Sequence, residues 1–402
     1  MAHGIATLSA TGALNLYSPA MNGVFYNSSG SYQYNASISN SGFTTQYAIA
    51  TPTQAMSAQF TSGAAWGGTV NVVGSPNATG DYFYQPSAYE NGSNSSVYPP
   101  NVAALPAHVY TFGVPSAPTG YGFFAKGQTD AMVSVDAQHK AYYLQPDSSG
   151  NVLRTASCSS LSSSTSNNSS YSQPTSANIT FEKSYTNPPL VFVTSSTGLI
   201  ALNYMTQDGS GKFNGMSVVA ASEFSDGGSG RGVAPYSGRT FSFTYFLVSD
   251  EEPMYVTPAA HGLQVFSSTG TKIFDSSYFC PTFQGITITK PYCYLSSGSY
   301  GYTYTDITKG AYTGICLNNI NSITGNTIYT SWIGVGGPFS LMGRYLNVTS
   351  STTARLQGYG TWGIFRVNTL PTYWYNSFDY TYGSVSTMPL LFANYRYDFI
   401  SG

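Results

Sequence analysis

Over much of this chain, apolar and polar residues alternate at every step. TVNVV (69–73), ANITFEK (177–183), FSFTYFLV (241–248), GITITK (285–290) and TWGIFRV (361–367) all follow the pattern. A period of two sends successive side chains to opposite faces of a strand, so one face can be buried and the other wetted. Turn formers punctuate these stretches: Asn27-Ser-Ser-Gly, Asp147-Ser-Ser-Gly, Asp208-Gly-Ser-Gly and Ser267-Ser-Thr-Gly. In each, the glycine can take a positive φ and the leading Asn, Asp or Ser can bond the turn backbone. No apolar stripe recurs at helical spacing over three turns. TPTQAMSAQF (51–60) is the best helical candidate, and it is short. The pattern predicts an all-β protein of two or more β-sandwich-like modules joined by loops, with little helix.

Charge is scarce. Asp, Glu, Lys and Arg make up 7% of the 402 residues, against about 25% in an ordinary soluble domain. With 16 acidic and 14 basic side chains, there is no field to hold nucleic acid or steer an ionic substrate. Disorder is the usual companion of poor hydrophobicity, but 15% of the residues are aromatic, which argues for an ordered chain. The longest apolar runs, such as 190–193 and 390–393, are far too short to cross a membrane. The first twenty residues have neither a basic start nor a continuous apolar stretch, so a secretory signal is not expected. Cys158, Cys280, Cys293 and Cys316 form no Cys-x-x-Cys pair and have no His at zinc-ligand spacing. A Cys280–Cys293 bridge is open to them, with reduced, buried thiols the favoured state.

The chain opens twice in the same way. HGIATLSATGALNLYS (3–18) and HGLQVFSSTGTKIFDS (261–276) align at a fixed offset, with His3, Gly4, Gly12 and Ser18 matching His261, Gly262, Gly270 and Ser276. Each copy reads as a strand, a turn set by its glycine, and a second strand. The repeat predicts two modules. Residues 1–258 form the first, enlarged by insertions, and 259–402 form the second. DEEPMYVTPAA (250–260) holds the only acidic cluster and reads as a solvated join between them. The Ser-rich tract 156–178 reads as a long extended loop within the first module.

The second copy carries a more specific signal. GLQVFSSTGTKIFDSS resembles the N-terminal signature of tail-associated structural proteins of tailed bacteriophages: Gly-Leu-x-Val, a polar turn with Gly, then Val/Ile-Phe-Asp-Ser. In that family a PLVFV-like strand follows and a Phe-x-Tyr/Val-x-Val strand closes the domain; 189–193 and 243–248 are similar to these. The first copy departs, with Ala6, Leu14, Asn15 and Tyr17 in place of Gln264, Lys272, Ile273 and Asp275. The resemblance implies a virion part in the tail tip, baseplate or fibre region, made in the host cytoplasm. It implies contacts with other tail proteins and with copies of itself, and it transfers no catalytic residues.

No constellation for catalysis stands out, and no enzyme activity, metal or cofactor is expected. DGGSGRG (226–232) lacks the Lys-Ser/Thr and the helix of a phosphate cradle. Asp136, His139 and Lys140 lie close together in VDAQHKAYYL (135–144), where a turn between strands explains them more simply. SSGSYGYTYTD (296–306) and TYWYNSFDYTYGS (372–384) are different. Their rings (Tyr300, Tyr302, Tyr304, Tyr373, Trp374, Tyr375, Tyr380 and Tyr382) make broad contacts at low entropic cost. They either pack against neighbouring subunits or bind a host glycan or receptor. The sequence thus points to a non-enzymatic virion protein, with a receptor-binding tail protein and a capsid decoration or head-fibre protein as alternatives. Nucleic-acid binding and membrane insertion are not expected.

Overall fold

The computed structural model describes residues 22–25, 36–38, 43–53, 59–61, 64–73, 82–90, 107–115, 122–126, 132–136, 141–159, 175–221, 240–260, 262–281, 283–289, 291, 293–296, 299–302, 304–320, 322–325, 328–329, 335–336, 339–359 and 387–396. Every regular element among them is a β-strand. Two seven-stranded antiparallel sheets dominate. The first runs Tyr143–Leu144, Thr240–Ser249, Leu190–Ser196, Thr313–Cys316, Thr387–Asn394, Phe283–Thr289, with Arg154–Ser159 also paired to Thr240–Ser249. The second runs Thr175–Tyr185, Phe213–Ala221, Leu199–Gln207, Phe339–Asn347, Thr353–Tyr359, Tyr304–Thr308, with Ser322–Gly325 also paired to Phe339–Asn347. The fold is all-β, as the alternation implies.

The same period of two sorts the core. In the first sheet Val191, Val193, Phe243, Tyr245, Leu247, Ile315, Leu390 and Phe392 join one apolar cluster. Facing them from the second sheet are Phe181, Met216, Val218, Ile200, Leu202, Leu346, Leu356 and Ile307. The intervening residues Leu190, Phe192, Phe246, Val248, Cys316, Leu391 and Ala393 form a second cluster with Ile49 and Tyr110. Those last two belong to strands Phe43–Pro52 and Ala107–Pro115, which pair with each other. The first sheet is therefore covered on both faces, and its central strands read as unbroken apolar runs for that reason. Phe192 and Phe246 are cross-strand partners whose rings stack at 5.2 Å and 13°. Gly314 makes room for them, since a Cβ there would lie 2.7 Å from Phe246 Cε1.

Strand Leu190–Ser196 joins the two halves of the chain. On one side it pairs with Thr240–Ser249, and on the other Phe192 and Val193 pair with Cys316 and Ile315. The second sheet makes a similar crossing where Ile200 pairs with Leu346. Two modules divided at residue 258 were expected from the repeat. The structure corrects this: both sheets draw strands from either side of 258, and one apolar cluster is shared between them. The Ser-rich tract is also corrected at its ends, which lie in strands Arg154–Ser159 and Thr175–Tyr185; residues 160–174 lie outside the described residues. The helical candidate 51–60 begins and ends in strand, and 54–58 lie outside the described residues, as does 361–367.

Where the central pairing runs out, a side chain continues it. The Leu317 N–H donates to the Val191 carbonyl at 2.8 Å. The Val191 N–H then donates to Asn318 Oδ1 at 2.7 Å. Asn318 Nδ2 in turn donates to Pro189 O at 3.1 Å and to Thr51 Oγ1 at 3.0 Å. The carboxamide, fully buried, therefore ties together three segments remote in sequence. Asn318→Ala leaves the Val191 N–H and Pro189 carbonyl without these partners. It is expected to cost about 3 kcal/mol, read as a lower denaturation midpoint in guanidinium.

Candidate functional site

Hairpin 262–278 forms as its residues dictate. Gln264–Phe266 and Lys272–Asp275 pair antiparallel, and Gly270 closes the loop at φ +80°. Ser267 Oγ accepts the N–H groups of Thr269 and Thr271 at 3.3 and 3.1 Å. Asp147 and Asp208 make the same bonds in their own turns, followed by Gly150 and Gly211 at φ +81°. At the base of the hairpin, Ser276 Oγ accepts the Leu263 N–H at 2.8 Å, and the Ser276 N–H donates to Leu263 O at 2.9 Å. A Cβ at Gly262 would sit 2.6 Å from that hydroxyl and displace it from the Leu263 N–H, so glycine leaves room for the bond. His261 and the whole first copy, including His3, Gly4, Gly12 and Ser18, lie outside the described residues.

Asp275 fixes this hairpin to the sandwich. Its carboxylate is buried and accepts from Gln264 Nε2 at 2.7 Å, Lys272 Nζ at 3.0 Å and the Ser277 N–H at 2.9 Å. Its own N–H donates to the Tyr143 hydroxyl at 2.8 Å, and Ala141 N–H donates to Ile273 O at 2.8 Å. Lys272 also pairs with Glu252 at 2.6 Å, and Glu252 accepts the Tyr278 hydroxyl at 3.3 Å. Beside it, Glu251 accepts the Thr186 N–H at 2.6 Å and pairs with Lys183 at 2.9 Å. The acidic cluster 250–252 is thus a clasp between hairpin and sheet. That corrects the solvated join expected of it.

Electrostatics follow from this packing. Burial alone would raise the Asp275 pKa, but the bonds from Ser277, Lys272 and Gln264 outweigh it and hold the carboxyl down at about 2. The Glu251 pKa is likewise lowered, because the Thr186 N–H and Lys183 outweigh burial. A carboxylate whose folded pKa is depressed stabilises the fold above its unfolded pKa and loses that contribution as pH falls through the folded value. Clasp stability is therefore full above about pH 5 and declines toward about pH 2. Asp275→Asn removes one titrating group, so its denaturation midpoint is expected to fall less steeply with acid than that of the unaltered chain. Measuring the midpoint of both proteins from pH 6 to pH 2 checks this.

Of the expected aromatics, Tyr300 and Tyr302 lie on strand Ser299–Tyr302, paired with Cys293–Ser296. Tyr373, Trp374, Tyr375, Tyr380 and Tyr382 lie outside the described residues. Tyr304 begins Tyr304–Thr308, the last strand in the pairing order of the second sheet. It is 51% exposed, and the Arg355 guanidinium lies 4.0 Å over its ring. Arg355 also forks onto Asp306 at 2.8 and 3.3 Å. That fork holds the Asp306 carboxyl below the usual carboxylate range.

The periodicity gave no sign of several polar groups in the core. Lys309 Nζ donates to the carbonyls of Thr313 and Ser351 at 2.9 and 2.7 Å, and burial pushes its pKa down to about 8. His108 is buried beside Tyr110 at 4.7 Å between ring centroids, and burial pushes its pKa down to about 3. Cys158, Cys280 and Cys316 are free thiols, so Cys280 is not bridged to Cys293. Asp136 ends strand Met132–Asp136, while His139 and Lys140 lie outside the described residues. Among the described residues no group of three His, Cys, Asp or Glu side chains is placed to hold a metal ion. No helix long and apolar enough to cross a membrane occurs among the described residues. Compared with known proteins, the chain matches no family model, no curated protein and no solved structure.

Proposed function

We propose that this chain is a non-enzymatic structural component of a bacteriophage virion, placed in the tail tip, baseplate or fibre-attachment region. It acts there by packing against other tail proteins and against copies of itself. The observation that carries the reading is hairpin 262–278, the stretch that resembles phage tail proteins. Its residues build a stiff, docked element, with Asp275 and Lys272 turned to the sandwich and Phe266 turned outward at 49% exposure. Met254 and Tyr255, just beyond the clasp, are exposed as well. An apolar ring on a pre-ordered hairpin loses little entropy on docking, which favours protein–protein contact. With so few charges on the chain, such contacts depend little on salt.

Antibody labelling of intact virions of the encoding phage tests the reading. Gold at the distal end of the tail is the expected result. Label on the head favours a capsid decoration or head-fibre role instead, and absence from purified particles contradicts a virion role altogether. A host-receptor role draws its support from a separate observation, the exposed Tyr304 beside Arg355.

A further inference from the structure

We infer that the outer face of the second sheet, at its edge strand Tyr304–Thr308, is a binding site for a neutral hexose-containing glycan. Ile307 points into the core, and Thr305 Oγ1 donates to Thr289 O of the facing sheet at 3.0 Å. Tyr304 and Asp306 therefore share the opposite face. Register places Gln357 directly beside Tyr304, and Arg355 directly beside Asp306. Four side chains, an aromatic ring, an amide, a guanidinium and a carboxylate, thus occupy two adjacent cross-strand pairs.

Three properties of this group point to a neutral sugar. The ring is held in place by the guanidinium over it, and the guanidinium by its fork on Asp306, so little freedom remains to be lost on binding. About half of the Tyr304 surface stays open, and an exposed ring suits the C–H face of a pyranose. Gln357 is 3% exposed, and its Nε2 has no hydrogen-bond partner among the described residues. A buried donor in that state is uncommon in folded proteins and suits an ordered water, which a sugar hydroxyl at the surface can meet in turn. The charge balance favours that class. Asp306 offsets Arg355, so this pair presents no net positive charge to attract sulfate, phosphate or uronate. The carboxylate oxygens retain lone pairs for hydroxyl donors. This inference stands apart from the virion location proposed above.

Binding of the full chain to an array of neutral glucose, galactose and mannose oligosaccharides, with sialylated and uronate-containing ones alongside, tests the site. The unaltered chain and Tyr304→Phe are expected to retain at least one neutral oligosaccharide. Tyr304→Ala should weaken that binding at least tenfold with unchanged thermal melting, because the side chain is half exposed. Gln357→Leu removes the unpartnered amide, so it should weaken glycan binding while raising the melting temperature; a purely structural role would leave binding unchanged. No retention of neutral glycans, retention of acidic ones alone, or equal binding by Tyr304→Ala overturns the inference. Capture of the chain by protein through this face, with no glycan bound, does so too.

Discussion

The fold depends on the antiparallel seam between Leu190–Ser196 and Thr313–Cys316. Only Phe192–Cys316 and Val193–Ile315 pair there, yet the seam brings two remote parts of the chain into one sheet. Its short length explains the role of Asn318. A ladder of two residue pairs leaves the next backbone groups of Val191 and Pro189 buried, and the carboxamide supplies their partners. Gly314 and the stacked Phe192–Phe246 pair sit in the same place. Packing on one face and hydrogen bonding at the end thus act on the same strand. A further donor–acceptor pair, Asn318 to Thr51, ties the N-terminal strands to that point.

The clasped hairpin extends the same logic outward. Its loop is set by Ser267 and Gly270, its base by Gly262 and Ser276, and its orientation by Asp275. Each of these contacts rests on a different chemical group, so the hairpin is held as a rigid projection. Charge is rare in this chain, with 14 basic and 16 acidic side chains, and Lys183, Glu251, Glu252, Lys272 and Asp275 are gathered here in ion pairs. The ion pairs serve position, and the outward side of the hairpin is left to Phe266. On the proposed reading, that division suits a protein whose partners are other neutral, aromatic-rich surfaces.

What could be read from the sequence was local. Alternation at 69–73, 177–183, 241–248 and 285–290 marked strands Ala64–Val73, Thr175–Tyr185, Thr240–Ser249 and Phe283–Thr289, and the glycine positions marked the turns at 150, 211 and 270. Those features are decided within a few residues, so their signals are local as well. Which strands pair is decided by contacts a hundred residues apart, and alternation carries no record of partners. The repeat therefore suggested two modules where strands 190–196 and 313–316 form one. Glu251 and Asp275 looked like a linker and a motif residue, because a carboxylate's partners are invisible until the chain is folded. Tyr304 was legible as an exposed aromatic, whereas its pairing with Arg355 and Gln357 required the register of the edge strands.

The chain's two halves complete one pair of sheets. Separate production of 1–258 and 259–402, followed by mixing, tests it most directly through the cooperativity of unfolding. The expected result is that 259–402 alone lacks a cooperative transition, and that one appears when the fragments are combined. A sharp, reversible transition with β-sheet circular dichroism for 259–402 alone would contradict it.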